Sequence, residues 1–191
     1  YSIECLRDDE YVELLAKANC RMSFLGMESL NEESLRDVEK KQNKVEEYKE
    51  FFHKLNKKGI LTFTGFMFAL DEDTPEYYET LPQKLEEVGV NVILPSISIP
   101  IYGTPLHKKM IDENRIIDND ITHYEGDHVL FRHKHLTEEQ IYYYYERTIK
   151  IFYSWKNILK RWWKFASMQT FDGSPKEYLL KTVLGSVIYF K

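Results

Sequence analysis

Ser23-Phe24-Leu25-Gly26-Met27-Glu28-Ser29 is the stretch whose reading decides the fold class. An apolar run reaches a glycine, a carboxylate and a hydroxyl follow, and the next residues open a helix. Such a run bounded by turn residues is a strand. In an α/β sheet the carboxyl end of a strand is where ligands sit. Glu28 and Ser29 therefore fall on the rim of a sheet, with oxygens suited to sugar hydroxyls or an amino acid. The competing role for Ser29, or for Asn31, is to cap the following helix.

Outward from this strand, Arg21–Met27, the same unit repeats. Leu35, Val38, Val45, Tyr48, Phe52 and Leu55 keep three- and four-residue spacing, which predicts one helix from about Glu32 to Lys58, stopped by Gly59. Ile60–Leu70 is almost wholly apolar, as a strand buried on both faces must be, and ends in Asp71-Glu72-Asp73-Thr74. Thr74 and Pro75 open a helix in which Pro82 predicts a kink or a late start. Gly89 ends it, and Val90–Ile99 is the last strand. Upstream, Tyr1–Leu6 reads as a short strand, and Asp8 or Asp9 caps a helix to about Ala18. The alternation predicts four parallel strands in chain order, with Glu28 and Asp71 on one edge.

The pattern changes after Pro105. Leu106–Glu113 reads as helix and residues 116–131 as irregular. Thr137-Glu138-Glu139-Gln140 is a capping box that opens one helix to about Phe165. Asp172-Gly173-Ser174-Pro175 marks a turn before a last helix, Pro175 to about Tyr189. Residues 1–105 are thus α/β, and residues 106–191 form a mostly helical extension expected to pack on them.

Composition narrows the function classes. The chain has 191 residues, 43% hydrophobic, with a formal net charge of −5, so nothing draws it as a whole to nucleic acid or an anionic membrane. No apolar run is long enough to span a bilayer. Two cysteines exclude a disulfide scaffold and suit a reducing, cytoplasmic setting.

The motifs in order carry a resemblance over about residues 1–145. Gly26-Met27-Glu28-Ser29, Lys40-Lys41-Gln42-Asn43, Ala69-Leu70-Asp71-Glu72-Asp73-Thr74, Tyr102-Gly103-Thr104-Pro105-Leu106 and Glu113-Asn114-Arg115 resemble the patterns G-I-E-S, K-x-Q-N, G-x-D-x-D-T, P-G-T-x-L and E-G-R. These belong to the C-terminal half of radical S-adenosylmethionine (radical SAM) enzymes, in the branch with an N-terminal cobalamin-binding domain. The resemblance implies a partial (β/α) barrel. It implies that Glu28 and Ser29 bind the ribose and amino-acid parts of S-adenosylmethionine and that Lys40 meets its carboxylate. Met67, in a stretch similar to G-x-I-x-G-x-x-E, lies against the adenine. None of these residues is implied to perform the redox step or to hold a metal.

The family's C-x3-C-x2-C loop is missing, and Cys5 and Cys20 do not fit it; a [4Fe–4S] cluster needs several thiolates at one site. The resemblance therefore assigns the cluster to the missing N-terminal half of a parent enzyme, and cobalamin, if used, to that half as well. The chain is then a fragment, inactive by itself, acting on a small molecule the sequence does not name. A fragment of this kind would have an open sheet edge at Tyr1–Leu6 and self-associate through it.

The rival class is a non-catalytic α/β binding module whose aromatic helical tail docks a partner. Trp155–Phe165 is basic and aromatic, and suits an anionic substrate, a membrane surface or single-stranded nucleic acid. At helical spacing, however, Tyr145, Phe152, Trp155, Leu159 and Trp162 make one stripe, the usual mark of a core or docking face. Asp71, Glu72 and Asp73 favour the following helix N-terminus more than they suit a metal. His123, His128, His133 and His135 match no zinc spacing.

Overall fold

The computed structural model describes residues 2–40 and 42–168. Strands β1 (Met22–Glu28), β2 (Leu61–Phe68) and β3 (Val92–Ile97) form one parallel sheet in chain order. Met22 pairs with Leu61, and Phe63 pairs with Val92. The described α-helices are α1 (Asp9–Lys17), α2 (Glu32–Asp37), α3 (Val45–Lys57), α4 (Pro75–Val88), α5 (Pro105–Asp112), α6 (Glu138–Phe152) and α7 (Trp155–Ser167).

Three strands stand where four were expected. Residues Ile3–Arg7 form a 3-10 helix instead of a strand. Ile3 and Leu6, three residues apart, both turn inward and are fully buried, which one 3-10 turn achieves and a strand of period two does not. Asp8 then caps α1, accepting from the Glu10 and Tyr11 N–H groups. Among the described residues the sheet edge therefore lies at β1.

The strands are not covered on both faces. Leu25, Met27, Phe66, Phe68, Ile93 and Ile97 are buried in one core with Tyr48 and Phe52 of α3, Tyr78 and Leu81 of α4 and Tyr144 of α6. On the opposite face Met22, Phe24 and Leu94 stay partly exposed beside Gly26 and Gly65. The outer edge of β3 is closed by side chains and a loop. The Tyr153 hydroxyl accepts from Ile93 N–H at 3.1 Å and donates to Ile93 C=O at 2.6 Å. Ile97 N–H donates to Gly126 C=O at 2.6 Å. Gly126, at φ 93°, comes so near Ser96 that a Cβ would lie 2.3 Å from its hydroxyl.

Two expected helices are each split, and a third starts at Pro75 with no late start. The first break falls between α2 and α3, where Glu39 takes φ 60° and the Asn43 side chain leaves the helix path to donate to the Gly26 and Met27 carbonyls. The second falls at Tyr153–Ser154: Tyr153 turns to β3, and Ser154 caps α7. That break shifts the phase of the aromatic stripe. Ile158, Arg161 and Phe165 face the body, while Trp155 and Leu159 face solvent. Helix α4 runs through Pro82. Proline cannot donate to the Tyr78 carbonyl four residues back, and Arg147 of α6 approaches that carbonyl at 3.5 Å in its place. The turn at 172–175 and the helix expected at 175–189 lie outside the described residues.

Candidate functional site

The end of β1 is bent so as to hold a carboxylate over the sheet. The register with β2 shifts between Gly26 and Glu28, and Glu28 takes the left-handed φ of 64°, a conformation that costs a non-glycine residue about 1 kcal/mol or more. The surroundings hold it there. Asn43 Nδ2 and the Tyr48 hydroxyl both donate to the carbonyl of Met27, at 3.2 and 3.0 Å. The Glu28 side chain then folds back above Gly26, where a Cβ would sit 2.6 Å from Oε1. Only glycine leaves that space.

The carboxylate faces a cavity of about 420 Å³ at the carboxyl edge of the sheet, lined by Glu28, Lys40, Met67, Ile99, Asp37 and Lys109 among others. Among the described residues the cation beside Glu28 is Lys40, whose Nζ lies 3.6 Å from Oε1, and its side chain is 42% exposed. That separation is too long for a hydrogen bond. Asp37 and Lys109 pair with each other at 3.0 Å. Met67 and Ile99 supply the apolar wall.

The end of β2 carries its carboxylates in a closed network. Asp71 is buried and receives two bonds from Arg115, at 2.5 and 2.9 Å, with Lys109 at 3.0 Å. Burial raises the Asp71 carboxyl, but Arg115 and Lys109 outweigh it and hold it at about 2. Asp73 is fully buried and accepts from Asn31, Ser34, the Leu70 N–H and the Tyr78 hydroxyl. Burial pushes its carboxyl up to about 6 against those four donors. Ala69, at φ 60°, turns the chain here, with its N–H bonded to the Tyr78 hydroxyl at 2.7 Å.

Residues 2–85 match the family described as the radical SAM superfamily. This stretch is a radical SAM segment. Over 160 residues the chain is 26% identical to a bacteriochlorophyllide d C-12(1)-methyltransferase of Chlorobaculum tepidum, covering 84% of this chain and 35% of that protein. It is 25% identical over 161 residues to the C-8(2)-methyltransferase of the same organism, covering 84% and 36%. It is 27% identical over 111 residues to a hopanoid C-2 methylase of Rhodopseudomonas palustris, covering 58% and 21%. The chain thus spans between 21% and 36% of the length of these relatives.

Within the radical SAM segment, three of the four residues singled out from sequence meet at one cavity: Glu28, Lys40 and Met67. Ser29 does not join them. Its fully buried hydroxyl accepts from the Asn31 N–H at 3.0 Å and meets the Tyr77 hydroxyl at 3.2 Å. Asn31 itself caps α2. Asp37, Ile99 and Lys109 went unrecognised in the sequence. The signal for two of them was at hand, since Tyr102–Leu106 and its helix follow the last strand and bring Ile99 and Lys109 to the same edge. The superfamily implies S-adenosylmethionine and a [4Fe–4S] cluster in the intact enzyme. The cavity's donors and acceptors fit the first. The two thiols of this chain, at Cys5 and Cys20, do not fit the second. Nor do the histidines of 123–135 converge: His123 and His128 stack on each other, whereas His133 Nε2 binds the Leu70 carbonyl at 2.7 Å.

Proposed function

We propose that this chain supplies the S-adenosylmethionine-binding strand ends of a radical SAM methyltransferase, with Glu28, Lys40 and Met67 as ligand contacts. When bound, S-adenosylmethionine supplies the radical chemistry of the superfamily in the presence of a reduced [4Fe–4S] cluster. The residues of this chain bind and orient. Glu28 accepts from the ribose diol or the α-ammonium group. Lys40 meets the carboxylate as a point charge on a flexible stem. The Met67 thioether packs on the adenine face. Ser29, through Tyr77 and Asn31, fixes the loop that carries Glu28. The rest of the barrel and the cluster thiolates belong to the parent's N-terminal half, which would continue the sheet from β1, and cobalamin, if the parent uses it, belongs to a domain there. The relatives are named as bacteriochlorophyllide d methyltransferases and a hopanoid methylase, and the reaction proposed here is methyl transfer.

The observation that carries this reading is the partly exposed Glu28 carboxylate above Gly26, bordering a cavity that Lys40 and Met67 also line. Titration calorimetry of S-adenosylmethionine into the chain tests it. Saturable binding is expected, weakened about tenfold or more by Glu28→Gln, the loss of one charge-assisted hydrogen bond. Absence of saturable binding, or equal affinity in Glu28→Gln and Lys40→Ala, would overturn it.

A further inference from the structure

Helix α7 presents two unlike rows to solvent. Trp155, Leu159 and Trp163 recur every four residues and are 68%, 50% and 70% exposed. Lys156, Lys160 and Lys164 recur at the same spacing and are exposed as well. Four-residue spacing keeps each set on one side of the helix, and the one-residue offset turns the lysine row about 100° from the apolar row. The third side docks on the body. Ile158, Arg161 and Phe165 are buried there, with the Arg161 guanidinium 3.8 Å above the Phe152 ring and ion-paired to Glu86. The helix is therefore anchored without its tryptophan row.

We propose that this face of α7 docks on an anionic lipid surface. An exposed indole and leucine row about 12 Å long suits the boundary between headgroups and acyl chains, and lysines alongside it suit headgroup phosphates. No Asp or Glu occurs from Trp155 to Met168, so the helix carries only positive charge to that surface. The net charge of −5 does not oppose contact, because screening over about 8 Å leaves the local row dominant. A second copy fits worse: pairing α7 with α7 would bring the lysine rows together with no acid on the helix to offset them. Single-stranded nucleic acid also fits worse, since its binding surfaces set stacking rings within the basic groove and not in a separate row. No helix among the described residues is long and apolar enough to cross a membrane, so the attachment is peripheral.

Sedimentation of the full chain with vesicles of equal phosphatidylglycerol and phosphatidylcholine, against phosphatidylcholine alone, tests this. The chain should sediment with the mixed vesicles, more weakly at high salt, with a blue shift in tryptophan emission. Replacing Lys156, Lys160 and Lys164 by Gln should weaken partition about a hundredfold, at about 1 kcal/mol per lysine. Replacing Trp155, Leu159 and Trp163 by Ser should abolish the rest. Lys164 Nζ lies near Gly89, so replacing Lys156 and Lys160 alone by Gln, both exposed, should also weaken partition, and the test stands even if the tryptophan variant fails to fold. Absence of sedimentation with mixed vesicles, equal binding by the lysine variant, or a dimer lost in the tryptophan variant without vesicle binding would each overturn the proposal.

Discussion

The carboxyl ends of β1 and β2 use the same device for opposite purposes. A non-glycine residue at φ near +60° ends β1, at Glu28, and directly follows β2, at Ala69, and polar groups come next on the same edge of the sheet. At β2 the carboxylates are saturated: Arg115 and Lys109 hold Asp71, and four donors hold Asp73. At β1, among the described residues, the Glu28 carboxylate has one loose ion pair, at 3.6 Å, and borders a cavity. A saturated acid holds elements together, whereas an unsaturated one is free to accept a ligand. Sequence alone makes the two look alike, for both are acids at strand ends; only their partners separate scaffold from site.

The sharpest contrast comes from removing one acid at each end. Asp73→Ala leaves three buried donors, Ser34, the Leu70 N–H and Tyr78, without their acceptor and should lower unfolding free energy by about 3 kcal/mol. Glu28→Gln should change it by less than about 0.5 kcal/mol while weakening S-adenosylmethionine. Urea denaturation of both variants checks this, and equal losses would erase the distinction.

The pH dependence of the β2 end is the next largest effect, and its two acids act with opposite sign. Asp71 is held below its unfolded value, so its stabilisation is present above about pH 4 and disappears as the pH falls towards 2. Its size is about 2 kcal/mol. Asp73 is raised, so it stabilises most below about pH 4 and loses that contribution as the pH climbs through 6. Asp71→Asn should therefore lie furthest below wild type above pH 4 and converge with it near pH 2. Denaturant titrations across that range decide it, and a gap that widens on acidification would contradict the ion-pair account.

Gly26 and Gly65 offer a smaller, more local test. A Cβ at Gly26 meets the end of a flexible side chain, Glu28 Oε1, at 2.6 Å, whereas at Gly65 it meets nothing nearer than Phe24 Cζ at 3.7 Å. Gly26→Ala should displace the carboxylate and weaken S-adenosylmethionine about tenfold, at a stability cost under about 1 kcal/mol. Gly65→Ala should bind as wild type. Calorimetry of the two variants side by side is the check. The smallest effect belongs to Ala69→Gly. Relief of the left-handed strain, about 1 kcal/mol, is nearly cancelled by the added freedom of the unfolded chain. A melting temperature moved by several degrees in either direction would show that Ala69 is not held there by Tyr78 alone.

The sequence by itself determined the α/β class, the parallel order of the strands, the cap at Thr74 and the capping box at Thr137, because periodicity and capping are local and repeat over several residues. It also singled out Glu28, Lys40 and Met67, through the resemblance of their motifs to those of radical SAM enzymes, and the fold brings all three to one cavity. Tertiary structure decided what depended on a partner far along the chain. Ile3 and Leu6 had to reach the core together, which replaced a strand by a 3-10 turn. Asn43 was recruited to the carbonyls of β1 and Tyr153 to the backbone of β3, and each broke a helix that its own spacing would have continued. Ser29 turned inward to Tyr77, 48 residues away. In each case a buried hydrogen-bonding group or a buried side chain outweighed local propensity, because leaving it unsatisfied costs more than a helix turn contributes.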